Sequence, residues 1–154
     1  WEMVAGNQAV GILTAGAADF LLEPPVNVLR LSLHPEGMAP RIVNLAQWRA
    51  HLLTRLAREV EVSADAQLSS LLDELRAYPS GGDWHDDRAN SLLVPLRVRV
   101  GDTELAMFST TTVFGTPRDV TLAEIAIESF YPSDTQTADY FRSAAEVTGT
   151  SCRT

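Results

Sequence analysis

TELAMFSTTTVFG, residues 103–115, reads as one long strand. Strand geometry sends Leu105, Met107, Ser109, Thr111 and Val113 to one side, and Ala106, Phe108, Thr110, Thr112 and Phe114 to the other. A half-buried strand sets an apolar row against a charged one. Here both rows mix apolar residues with hydroxyls, and no charge falls between Leu105 and Gly115. One face should pack on a core. The other should line an enclosed space with aromatic walls and sparse hydroxyls, the mixture a small-molecule pocket uses. A strand packed on both faces is the competing reading.

The neighbouring segments supply strands to pair with it. Residues 92–100 alternate cleanly, with Leu92, Val94, Leu96, Val98 and Val100 on a core face and Arg97 and Arg99 in water. Pro95 suits an edge position. Gly101-Asp102 turns this strand into the next as a hairpin. After a turn at 116–119, residues 120–131 read as a third strand, because Ile125 and Ile127 stand two apart. Pro132 ends it. Ser133 and Gln136 form a capping box for a last helix over 134–147, with Ala138, Phe141 and Ala145 inward. Residues 148–154 read as a disordered tail, so the domain spans 1–147.

Upstream, residues 1–6 form a short strand and Asn7 caps a helix at Gln8–Thr14. Pro24-Pro25 breaks the chain. A helix follows with Val26, Leu29 and Leu33 on one face, closed by Pro35. Asn44 is placed to cap the next helix, over 45–62, whose stripe is Leu45, Trp48, Leu52, Leu56 and Val60, with Arg55 off it. A second long helix, over 66–78, turns Leu68, Leu71, Leu72 and Leu75 inward, and Asp65 sits at the positive end of its dipole. The short link makes the two antiparallel neighbours. Helices grouped between a first strand and a terminal meander predict an α+β domain, an antiparallel sheet with helices over one face, the layout of a PAS-like sensor.

Composition narrows the function. Hydrophobic residues at 45% and charged ones at 21% describe an ordinary globular domain. A net charge of -8 repels phosphate, so this chain should not grip DNA itself. The single cysteine, Cys152, excludes an internal disulfide and fits the cytoplasm. No stretch approaches the ~18 apolar residues of a membrane span. Asp83, His85, Asp86 and Asp87 crowd one loop without a second ligand cluster, which argues against a metal. No nucleophile elbow or phosphate loop is present, which argues against an enzyme. His51 is the candidate if the domain were a haem sensor; a flavin sensor is the sister alternative. No cofactor is expected.

Three segments carry a resemblance: WEMVAGN (1–7), PPVNVLRLSLHPEGMAPRIVNLAQW (24–48) and VPLRVRVGDTELAMFSTTTVFGTPRDVTLAEIAIESFYP (94–132). Over residues 1–145 the chain resembles the ligand-binding domain of MmyB-like transcription regulators, within the Xre-type helix-turn-helix regulators. The resemblance implies a PAS-like fold, a fatty-acid-like ligand and an N-terminal helix-turn-helix that reads DNA. That helix-turn-helix and one preceding strand are missing from this sequence, as in a truncated or fragmentary chain. Regulators that read palindromic operators are dimers, so a homodimer is expected.

The pocket expectation joins both arguments. Met107, Phe108, Thr110, Thr112 and Phe114 form a ligand wall, with Val28, Leu29 and Leu33 opposite. Alternation puts Met107 in the other row from the rest of the wall. A buried carboxylate needs a partner, and Arg30 or Arg41 can grip it through two parallel bonds, supported by Asn27 and His34. Arg30 could instead lay its stem over the core with its head in water.

Overall fold

Gly101, at φ +58°, closes a tight hairpin between Leu96–Val100 (β3) and Thr103–Val113 (β4), with Val100 opposite Thr103 and Leu96 opposite Met107. Ala126–Pro132 (β5) pairs antiparallel along the far side of β4, from Met107↔Pro132 to Val113↔Ala126. The result is a three-stranded sheet in the order β3-β4-β5. The computed structural model describes residues 1–80, 93–113 and 125–150. The rest of the described chain consists of helices and the loops that join them, with a two-stranded sheet of Glu2–Met3 (β1) and Val26–Asn27 (β2). The helices are Gln8–Thr14 (α1), Val28–Leu33 (α2), Leu45–Ser63 (α3), Ala66–Ala77 (α4) and Thr135–Thr150 (α5). This is the α+β layout expected, with helices over one sheet face.

Local chemistry explains where several boundaries differ from the sequence reading. Val26 does not enter the helix. It pairs with Met3, and Asn27 caps α2 instead, its Oδ1 accepting from the Leu29 and Arg30 amides at 3.1 and 3.0 Å. Asn7 occupies the cap position of α1 without making the cap bond. At α5 the capping side chain is Asp134 rather than Ser133, its Oδ1 accepting from the Thr137 amide at 2.7 Å. Ala144, not Ala145, is the half-buried alanine near the end of that helix. α5 runs to Thr150, so only residues 151–154 of the expected tail remain, and they lie outside the described residues. The 80–90 loop lies outside them too from residue 81 on, and so does the expected strand at 120–131 before residue 125.

One core holds the layers together. Leu29 and Leu33 of α2, Leu56 of α3, Leu75 of α4, and Val98, Leu105 and Met107 of the sheet are all essentially without solvent contact. Trp48 buries its ring and donates Nε1–H to Ser32 Oγ at 3.0 Å, which satisfies both groups in the core. α3 and α4 are antiparallel: Arg49, early in α3, donates to the Leu75 and Arg76 carbonyls at the end of α4. Asn44 ties the helices to the sheet. It does not cap α3; its Nδ2 donates to the Pro95 carbonyl at 2.7 Å and its Oδ1 accepts from the Arg97 amide at 3.0 Å.

Candidate functional site

The register of β4 decides which of its faces meets the helices. Leu105 and Met107 lie in the core, so Ser109, Thr111 and Val113, two apart along the same row, continue that helix-facing row past the point where the core stops. Glu128, opposite Thr111, reaches α3 from the same face. The opposite row is the outer surface of the sheet. There Arg97 pairs with Glu104 and Phe108 stacks on Tyr131, centroids 5.4 Å apart at 23°.

A cavity of about 250 Å³ opens where the helix-facing row leaves the core, lined by His51, Arg55, Leu93, Val94, Ser109 and Thr111. Arg55 reaches it from α3. Its guanidinium contacts Glu128 at 3.3 Å and Thr111 Oγ1 at 3.4 Å, both at the long edge of hydrogen bonding, and lies 5.0 Å over the Trp1 ring. His51, one turn earlier, stacks on Trp48 at 5.5 Å. Burial, reinforced by the Arg55 charge, pushes the His51 imidazole below its ordinary value against the pull of Glu128, so it is neutral at pH 7. The site thus offers a loosely held cation, a neutral imidazole, two hydroxyls and aliphatic walls.

A second cavity, about 280 Å³, lies between the turn at 19–21, α2 and the end of α4. Its lining includes Asn27, Arg30 and His34, three residues expected around a carboxylate. A carboxylate of the chain itself already sits there. Glu74 accepts from Arg30 Nε and Nη2, at 2.9 and 2.8 Å, and from the Tyr78 hydroxyl at 2.5 Å. The Arg30 bonds hold Glu74 below the usual carboxylate range, while burial and the Glu74 bond push the Tyr78 hydroxyl up to about 12. His34 stands edge-on to both Phe20 and Tyr78, and its Nδ1 accepts from the Glu36 amide.

The expected wall is therefore divided. Met107 is its one described strand member on the helix-facing side, in the other row from Phe108, Thr110 and Thr112 as alternation expects. Phe108 is half-buried on the outer face, and Thr110 and Thr112 are exposed there. Phe114 lies outside the described residues. Leu29 and Leu33 are core, and Val28 is half-buried with its amide on the Trp1 carbonyl. Arg41 donates to the Leu13 carbonyl at the end of α1, and burial lowers its pKa. Arg55, Ser109 and Thr111, which line the first cavity, are not among the residues expected from the sequence. Trp48, His51, Leu52 and Arg55 share one helix ridge at i, i+3, i+4 and i+7, which is the signal that marks Arg55 as inward.

Comparison with protein families matches residues 1–144 to the MmyB-like transcription regulator ligand binding domain. The chain belongs to that family. No curated protein and no solved structure matches it significantly. As an MmyB-like ligand-binding domain it is a non-enzymatic binding module, and no described helix is long and apolar enough to cross a membrane. Among the described residues no group of His, Cys, Asp and Glu is placed to hold a metal.

Proposed function

We propose that this domain senses a fatty-acid-like ligand seated between α3 and the helix-facing row of β4, with its carboxylate on Arg55. The observation that carries this reading is the change along that row, from filled core at Met107 to a hydroxyl-lined cavity at Ser109 and Thr111. The cavity is at the small end for a ligand site, so the chain of the ligand extends over exposed apolar surface that the register continues from it, Val113 and Phe130. Each methylene buried there contributes about 0.8 kcal/mol. In the full regulator the domain works in the cytoplasm as a homodimer, and a helix-turn-helix segment outside this chain reads the DNA.

The Asn27, Arg30 and His34 cavity supports a second reading, in which a ligand acid displaces Glu74 from Arg30. Dodecanoate and dodecanol binding to four variants separates the two. Charge-assisted bonds contribute about 1.5–3 kcal/mol, roughly 10- to 100-fold. Arg55→Ala is expected to lose that factor for the acid and little for the alcohol, with Arg30→Ala unchanged. Ser109→Trp should exclude both ligands, and Phe108→Trp, on the outer face, should exclude neither. The reverse pattern for the two arginines moves the site to the α2 cavity. Parent-like binding of the acid by both overturns the carboxylate assignment.

A further inference from the structure

The cavity beside α2 holds chemistry that an acyl chain does not use. Asn27, Arg30 and His34 stand at i, i+3 and i+7 along α2 and its two ends, and all three line the cavity from one helix face. Each is fixed by the chain on one side and leaves a donor on the other. Asn27 Oδ1 takes the Leu29 and Arg30 amides, which turns its Nδ2 away from them. Arg30 gives Glu74 its Nε and Nη2, and its Nη1 makes no bond among the described residues. His34 Nδ1 accepts from the Glu36 amide at 3.0 Å, so the ring proton sits on Nε2. That proton has no partner among the described residues either.

The remaining lining is aromatic and acidic. Phe20 and Tyr78 stand edge-on to the His34 ring on two sides, at 5.4 and 5.1 Å between centroids. The Tyr78 hydroxyl is engaged by Glu74, which leaves its ring as wall. Glu23 is exposed on the rim and makes no ion pair among the described residues.

Charge then selects the ligand. Glu74 neutralises Arg30, so Glu23 gives the lining a net negative charge. An acid alone would meet that charge unanswered, and an amine alone would leave three donors unmatched. A carboxylate has about four lone-pair sites on its two oxygens, enough for all three donors, and an ammonium answers Glu23. At about 280 Å³ the cavity is small for a ligand site. We propose that it binds a free aromatic α-amino acid, its carboxylate on the α2 donors, its ammonium on Glu23 and its ring against Phe20 and Tyr78. Glu74 stays on Arg30 throughout and holds the guanidinium in place. The site shares no lining residue with the Arg55 cavity, so it is independent of the acyl ligand.

Three probes separate its halves in calorimetric titration: L-phenylalanine, hydrocinnamate, which lacks the ammonium, and phenethylamine, which lacks the carboxylate. L-Phenylalanine should bind, and each analogue should bind about tenfold more weakly or worse, the smaller effect of losing one charge-assisted bond. Glu23→Gln, at an exposed residue, should weaken L-phenylalanine about tenfold and leave hydrocinnamate unchanged. His34→Phe keeps the row of rings and removes Nε2; it should weaken L-phenylalanine and leave phenethylamine unchanged. Phe20→Ala, at a side chain 53% exposed, should weaken all three with a parental melting curve. Saturating dodecanoate should leave L-phenylalanine binding as it was. The inference is overturned if L-phenylalanine fails to bind in the millimolar range, or if either analogue binds as tightly as it does. Displacement of L-phenylalanine by dodecanoate also overturns it, and assigns the cavity to the acyl ligand. Loss of dodecanoate binding in Arg55→Ala with L-phenylalanine binding intact is the result expected of two separate sites.

Discussion

Beyond Glu104 the two halves of β4 share a strand, a row and an absence of charge, yet they do opposite work. From Leu105 to Met107 the helix-facing row is sealed, 0% and 1% exposed; from Ser109 to Val113 it opens, until Val113 is 67% exposed. The difference lies in what stands across from the strand. Leucines of α2, α3 and α4 fill the first half, whereas His51 and Arg55 reach the second. The cavity lies where the flank of α3 that carries His51 and Arg55, beside the buried Trp48, Leu52 and Leu56 stripe, faces the strand.

If that contrast is right, substitutions should separate the halves steeply. Met107→Ala is expected to destabilise by ~2–5 kcal/mol in chemical denaturation, through lost transfer energy and the void left behind. A loss under ~1 kcal/mol would mean that the first half is not sealed. Asn44→Ala leaves the Arg97 amide and the Pro95 carbonyl short of a partner and should cost about 1–3 kcal/mol, with its loss of amide-exchange protection centred on β3. Acid should weaken the open half next. His51 titrates near ~6.5 in the unfolded chain and lower in the fold, so its stabilisation is complete above that value and fades as pH falls through the folded one. His51→Gln should flatten this part of the pH–stability curve, and an unchanged curve would refute the burial of the imidazole. Thr111→Ala, in the open half, should stay within about 0.5 kcal/mol of the parent.

The elements were legible where periodicity spoke. α1, the stripe of α3, the inward leucines of α4 and the β3–β4 hairpin follow from spacing and turn residues alone. The start of α2 was misread because Val26 satisfies both a helix face and a two-residue strand, and only its partner Met3 decides between them. The face of β4 was misread for a related reason. Phe108 looks like a pocket wall, but an aromatic can be sheltered on an outer face by a cross-strand neighbour, here Tyr131. Sequence could not show that Arg30 already holds a carboxylate of the chain itself, Glu74, forty-four residues away. Arg55 escaped notice because a helical wheel treats it as rim, while its long side chain reaches Thr111 and Glu128 on the sheet.

Trp1 has a further consequence, in the currency of linkage. Its carbonyl accepts from the Val28 amide, its indole donates to Glu59 at 2.7 Å, and its ring carries the Arg55 guanidinium. A ligand acid that claims Arg55 must compete with that ring, and by reciprocity whatever fixes Trp1 against Arg55 must weaken the acid by the same factor. An exposed cation–π contact is worth about 0.5–1 kcal/mol, so this one contact can transmit no more than roughly a two- to fivefold change between the ligand and the first strand. A larger response in the whole regulator would have to travel through other contacts.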